Sequence, residues 1–148
     1  MDLETRKTLL TATLERAAAA LGDITPLVYA RYYAVHPEGR ACFEENFPGG
    51  ADKLEGEMVS QVLYCLMEWL DSPGEIEIIL LCTVPHHAET LNVPPHLFTG
   101  LITAVSETVA ESIPAEALAE RAVWAELHGV LVDVVAEGAV YARTAKQG

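Results

Sequence analysis

The chain has 148 residues, of which 51% are hydrophobic, so it can bury a substantial core and is not expected to be disordered. With 9 basic and 22 acidic side chains, its net charge is −13, which repels nucleic-acid phosphates and anionic membranes. These numbers predict a single domain, residues 1–148, that binds neither nucleic acid nor membrane.

The N-terminal segment and the cysteines favour a cytoplasmic protein. The first residues lack the basic start and apolar stretch of a secretory signal, and no apolar run reaches the length of a membrane span. The three cysteines are odd in number and form no metal-type pair: Cys42, Cys65 and Cys82. We therefore expect reduced thiols, two of them among apolar neighbours.

Helical periodicity begins at the N-terminus. Apolar residues recur on one face from Leu3 to Leu21, and Gly22 predicts the end of this first helix. Asp23 is positioned to cap a second helix, which carries Pro26 in its first turn. The proline-containing segment 36–43 breaks that helix and predicts a short helical turn.

The rest of the chain repeats this pattern. A loop at residues 48–50 precedes a helix that is predicted to begin at Asp52. The sequence from Ser72 to Glu75 is a helix start signal, and the helix that follows must bend or stop before Pro85. Two further helices are predicted to open at residues 94–95 and at Pro114, the last being the longest. No stretch alternates like a strand, so the fold class is all-α, with about seven helical segments, two of them short.

The histidines are the candidate ligands. The five are His36, His86, His87, His96 and His128, and they form no zinc-type cluster with the cysteines and no His-Glu-x-x-His motif. No glycine-rich phosphate loop is present, and no nucleophile can be paired with a base. The pair at positions 86 and 87 follows a proline on a helix. A histidine there is either a surface or capping residue, or a ligand that faces an apolar helix some thirty residues earlier.

Several features, taken in chain order, resemble a globin over almost the whole chain. They are Tyr29, Pro37, Phe43, the Glu55–Val59 turn, the segment His87-Ala88-Glu89-Thr90-Leu91-Asn92-Val93-Pro94 and the last helix around Trp124. Phe43 follows Tyr29 by 14 residues and His87 follows Glu55 by 32, spacings similar to those of bacterial single-domain globins and of the heme domain of flavohemoglobins. The resemblance implies a globin fold around heme b (iron) and reversible binding of oxygen or another diatomic gas, such as nitric oxide or carbon monoxide.

The resemblance also implies roles for individual residues. His87 would be the proximal iron ligand, because neutral imidazole suits iron; His86 points about 100° around the helix from it and cannot face the same pocket. Phe43 would lie flat against the porphyrin and Val59 would stand over the iron. The opposite wall would consist of Phe98, Leu101 and Ile102. All these apolar residues would be core residues in a heme-free protein as well.

Two polar residues would face the gas. Tyr29 would donate a hydrogen bond to oxygen, which contributes about 1–2 kcal/mol; the alternative is an amphipathic tyrosine with its hydroxyl at the surface. Glu55 departs from the histidine or glutamine usual at the distal position of globins, because an ionised carboxylate only accepts hydrogen bonds. Alternatively, Glu55 closes a capping box with Asp52, and Leu54 is a second candidate for the distal position.

The resemblance to flavohemoglobins is incomplete. Leu97 or Phe98 stands where they carry a tyrosine that polarises the proximal histidine, and the chain has no flavin or nicotinamide domain. Nitric oxide dioxygenation would therefore need an external reductase. The sequence predicts a gas-binding globin for storage, transport or nitric oxide detoxification. The alternative is a heme-free or sensory globin-fold protein that acts through protein contacts.

Overall fold

The computed structural model describes the backbone of residues 1–90 and 93–147 and the side chains of residues 1–83 and 93–138. Within these residues the chain forms seven α-helices and no strand, which confirms the all-α class. The helices are α1 (Leu3–Leu21), α2 (Thr25–Val35), α3 (Glu38–Asn46), α4 (Ala51–Glu68), α5 (Pro73–Thr90), α6 (Pro95–Ala110) and α7 (Leu118–Gln147).

Local contacts set the ends of the first two helices, and the end of α1 at Gly22 is as predicted. Asp2 caps α1 by accepting a hydrogen bond from the main-chain amide of Thr5 (2.7 Å). Gly22 ends α1 with a φ of +64°, a left-handed conformation that favours glycine. Asp23 accepts a hydrogen bond from the Thr25 amide (3.0 Å) at the start of α2. These contacts fix the tight corner between the first two helices.

Two helix boundaries differ from the prediction. α4 begins one residue early, with Gly50 as its N-cap residue, so Asp52 lies inside the helix and cannot cap it. Of the two outcomes predicted at Pro85, a stop is excluded, because α5 continues to Thr90. α7 begins at Leu118 rather than at Pro114, because residues between them form turns, in one of which the Ala117 amide donates to the Pro114 carbonyl (3.0 Å).

α6 and α7 form the centre of the core. α6 packs against α2 and α7, and α7 also packs along α5 and α1. The indole of Trp124 on α7 donates a hydrogen bond to the carbonyl of Ser106 on α6 (2.8 Å), and both residues are buried. The largest fully buried side chains include Leu66, Ile76, Leu127, Leu131, Val105 and Val109. In the described part of the chain, no helix has the length and apolar composition needed to cross a bilayer.

A buried carboxylate joins the first helix to the last. Glu120 on α7 accepts hydrogen bonds from the guanidinium of Arg16 (2.9 Å to each oxygen) and from the hydroxyl of Thr13 (3.1 Å) on α1. Because both oxygens have donors, the buried charge is compensated. α3 packs mainly against α2 and α4.

Candidate functional site

An apolar cavity of about 160 Å³ lies between α3, α4 and α6 and is partly open to solvent. Two of its polar neighbours donate hydrogen bonds to main-chain carbonyls: the Tyr32 hydroxyl to that of Leu97 (3.1 Å), and the Asn46 amide to that of Cys42 (2.9 Å). The cavity therefore presents mostly carbon to whatever occupies it. Its lining consists of Tyr32, Gly39, Cys42, Phe43, Asn46, Phe47, Leu54, Met58, Val93, Leu97, Phe98 and Leu101.

Three of the residues predicted to contact a cofactor meet at this cavity. Phe43 lies on α3, whereas Phe98 and Leu101 lie on α6, and all three line the same space. A smaller cavity of about 40 Å³ shares the two α6 residues and adds Ile102, also predicted for this wall, together with Thr83 of α5. The apolar space thus extends from α3 toward α5.

The face that α4 presents to the cavity is one residue out of register with the prediction. Leu54 and Met58, which are four residues apart and so share a helix face, line the cavity. Val59 is buried on a different side, where it borders a space between α1, α2 and α4. Glu55 is not among the lining residues either. The structure therefore brings the alternative candidate, Leu54, to the cavity wall.

Tyr29 is buried behind the cavity wall. Its hydroxyl donates a hydrogen bond to the main-chain carbonyl of Glu55 (3.0 Å), and its ring packs edge-on against Phe43 with 5.5 Å between ring centroids. Burial raises the pKa of the Tyr29 phenol far above its ordinary value, so the group stays neutral. Tyr29 is not among the residues that line the cavity.

The carboxylate of Glu55 is bonded to a tyrosine. It accepts a hydrogen bond from the Tyr33 hydroxyl (2.8 Å), and the guanidinium of Arg40 lies over the Tyr33 ring at 5.1 Å from its centroid. Burial raises the pKa of the Tyr33 phenol, and the Glu55 contact raises it further. The predicted capping box between Glu55 and Asp52 is wrong, because Asp52 is not at the N-cap position of α4.

The predicted iron ligand falls outside the described side chains. His87 and the alternative, His86, belong to α5, whose backbone is described to Thr90. Their side chains lie in the segment 84–92, for which the structure describes no side chains. Their assignment therefore stays a prediction. The first described residue after this segment is Val93, which lies just before α6 and lines the apolar cavity.

Two sulfur-containing residues of the cavity were not predicted as site residues. Met58 follows Leu54 by one helical turn on α4, so the two side chains line the cavity together. Cys42 directly precedes Phe43 and lines the cavity beside it. Burial raises the pKa of the Cys42 thiol, and Glu45 and Glu38 raise it further, so Cys42 is a protonated thiol near neutral pH.

The site has to be interpreted from its own chemistry. No protein-family model, curated protein or solved structure matches this chain.

Proposed function

We propose that this protein binds heme b in the apolar cavity between α3, α4 and α6 and uses it to bind oxygen or another diatomic gas reversibly. The single observation that carries the proposal is the meeting of Phe43, Phe98 and Leu101 at one apolar cavity. Phe43 lies on α3, far in sequence from Phe98 and Leu101 on α6, and the globin resemblance implies porphyrin contacts for all three.

The chemistry of the lining fits a porphyrin. A porphyrin has two flat apolar faces, and the cavity offers phenylalanine rings and aliphatic side chains for such faces. The Tyr32 hydroxyl and one N–H of the Asn46 amide donate to main-chain carbonyls, which lowers the cost of placing an apolar guest beside them. The open side of the cavity suits the charged edge of a heme, which needs contact with water.

The enclosed volume sets a condition on binding. At about 160 Å³ the cavity is below the roughly 300–1,000 Å³ of typical small-molecule pockets. A heme would have to widen the space or extend through its open side. Phe47 lines the cavity between α3 and α4 and is 47% exposed, so it is the lining side chain that we expect to move.

The proposed ligand is His87. The cavity that adjoins the main one is lined by Thr83 of α5, and His87 follows Thr83 by four residues, a separation at which two residues of a helix share a face. When bound, the iron supplies the coordination position that holds a diatomic gas. Phe43, Phe98 and Leu101 would hold the porphyrin, and Leu54 with Met58 would form the apolar wall on the α4 side.

This arrangement gives the gas an apolar environment on the α4 side. Neither Leu54 nor Met58 can donate a hydrogen bond to a diatomic ligand. The hydroxyl of Tyr29 is already used by the Glu55 carbonyl. We therefore expect weaker discrimination between oxygen and carbon monoxide than in a globin with a polar distal residue. Nitric oxide detoxification remains part of the proposal, with an external reductase as the source of electrons.

The narrow cavity also favours a second candidate, a heme-free globin-like protein that acts through protein contacts. The two candidates are separated by titrating the purified full chain with hemin and recording the visible absorption spectrum. We expect wild type and His86→Ala to develop the intense band of protein-bound heme, and His87→Ala to lose it. A wild-type protein that develops no such band would contradict heme binding and favour the second candidate. Loss of the band in His86→Ala alone would contradict the choice of ligand.

A further inference from the structure

We infer that a divalent transition metal, in particular Zn²⁺, binds at the N-terminal end of α6. Its protein ligands there are His36, Glu38 and His96. In the described part of the chain, one ligand atom from each of these three residues lies within 4.8 Å of the other two. We call this cluster the histidine–glutamate triad. None of its members lines the apolar cavity, so the inference does not depend on heme.

The distances fit tetrahedral coordination. Glu38 Oε1 lies 3.0 Å from His96 Nε2 and 3.6 Å from His36 Nδ1. Two ligands on a tetrahedral zinc ion, with zinc–ligand bonds of about 2.0–2.1 Å, are separated by about 3.3 Å. Both observed distances lie within a few tenths of an ångström of that value. The third pair, His36 and His96, has ligand atoms within 4.8 Å of each other, so side-chain rotation would bring all three ligands onto one metal ion.

Helix ends bring the three ligands together. His36 is the C-cap residue of α2, and Glu38 is the first residue of α3, separated from it only by Pro37. His96 lies in the first turn of α6, and α2 packs directly against α6. The site therefore joins three helices, although two of its ligands are close neighbours in sequence.

The His36 ring is held in position from two sides. It packs against the ring of Tyr32, with 5.5 Å between ring centroids. On the other side it lies against Gly100 of α6, where an added Cβ would sit only 2.5 Å from His36 Nε2. Gly100 thus leaves room for the imidazole, and the close approach limits the rotation of the ring. A ligand fixed in this way loses less conformational freedom when it binds a metal.

The surroundings leave a fourth coordination position accessible. A space of about 280 Å³ adjoins His36 and His96 and is open to solvent. Three protein ligands and one water molecule form the usual arrangement of a zinc site with an open position. The cation that borders this space, Arg31, is paired with Glu107 (3.0 Å), so its charge is compensated. The net charge of −13 also favours cations over anions at the surface.

The ligand set selects the class of metal. Two imidazole nitrogens suit Zn²⁺ and other late transition metals, whereas Mg²⁺ and Ca²⁺ prefer sites built from oxygen ligands. The competing explanation is an ordinary surface hydrogen bond between Glu38 and His96. Such a pair explains the 3.0 Å contact but does not require His36 to be close.

The test is a calorimetric titration of the purified full chain with ZnCl₂, with MgCl₂ as the control cation. We expect Zn²⁺ binding by wild type and no binding of Mg²⁺. Glu38→Gln and His96→Ala should each weaken Zn²⁺ binding at least tenfold. Glu45→Gln, which removes an exposed carboxylate from the same helix, should bind like wild type. Circular dichroism would check that all four proteins have the same helix content.

Gly100→Ala tests the geometry without removing a ligand. Its added methyl group should push the His36 ring aside and weaken Zn²⁺ binding about tenfold or more, while thermal unfolding reports whether the helix has kept its stability. Zn²⁺ affinity unchanged in both Glu38→Gln and His96→Ala would overturn the inference and assign any binding to other histidines. Absence of Zn²⁺ binding in wild type would overturn it as well.

Discussion

The hydroxyl of Tyr29 offers a quantitative test of which groups face the cavity. In Tyr29→Phe the ring keeps its packing against Phe43 and Tyr32, and only the hydrogen bond to the Glu55 carbonyl is lost. That carbonyl lies within α4, whose own main-chain hydrogen bonds remain, so no acceptor is stranded. We expect a loss of about 1 kcal/mol in the free energy of unfolding, typical of one buried hydrogen bond.

Urea denaturation monitored by circular dichroism measures this loss, and thermal melting should show a decrease in Tm of about 3 °C for a chain of this length. On heme-loaded protein, stopped-flow measurement of oxygen dissociation supplies the second readout. Because the hydroxyl is engaged by the Glu55 carbonyl, we expect the dissociation rate of the variant to stay within about twofold of wild type. Unchanged stability together with roughly tenfold faster oxygen release would refute this reasoning and show that Tyr29 donates to the gas, as the sequence predicts.

Two further predictions follow from the same helices. Glu55→Gln should leave gas affinity unchanged, because the carboxylate is bonded to Tyr33 outside the cavity. Leu54→Gln should slow oxygen release, because it places a hydrogen-bond donor on the cavity wall. A change of gas affinity in Glu55→Gln alone would contradict this register of α4. Stability should fall as the pH rises above about 10, because the pKa values of Tyr29, Tyr32 and Tyr33 are raised in the folded state and the unfolded chain loses these protons first. In Tyr29→Phe the free energy of unfolding, measured by urea denaturation between pH 9 and 11, should decline less steeply, by up to about 1.4 kcal/mol per pH unit. The same slope in variant and wild type would count against burial of the Tyr29 phenol.

Much of the fold could be predicted because helix ends depend on local chemistry. Gly22 and the serine-proline signal before α5 act through the backbone of a few neighbouring residues, and both mark helix boundaries in the structure. Pro114 was misleading for the same reason. A proline is compatible with the first turn of a helix and equally with a β-turn, and the choice depends on how the following residues pack.

The register of α4 could not be obtained in this way. Glu55 with Val59 and Leu54 with Met58 both have helical spacing, and a shift of one residue rotates a helix by about 100°. Which pair faces the cavity is decided by long-range contacts, such as the hydrogen bonds from Tyr29 and Tyr33 to Glu55. The histidine–glutamate triad was missed for a related reason: His96 is far from His36 in sequence, and only the packing of α2 against α6 brings them together.

The first two turns of α6 serve both candidate sites through opposite faces. Leu97, Phe98 and Leu101 line the apolar cavity, whereas His96 belongs to the histidine–glutamate triad and Gly100 lies against the His36 ring. These residues belong to one helix segment, so the α6 part of the cavity lining lies directly beside a proposed metal ligand.

Tyr32 connects the two sites directly. Its ring packs against His36, its hydroxyl holds the Leu97 carbonyl, and it also lines the apolar cavity. A substitution of Tyr32 would disturb the metal ligand, the first turn of α6 and the cavity together, and its effect could not be assigned to one of them. Phe43 and Glu38 touch one site each, the cavity and the triad respectively. For this reason changes at Phe43 and Glu38, rather than at Tyr32, can separate heme binding from zinc binding.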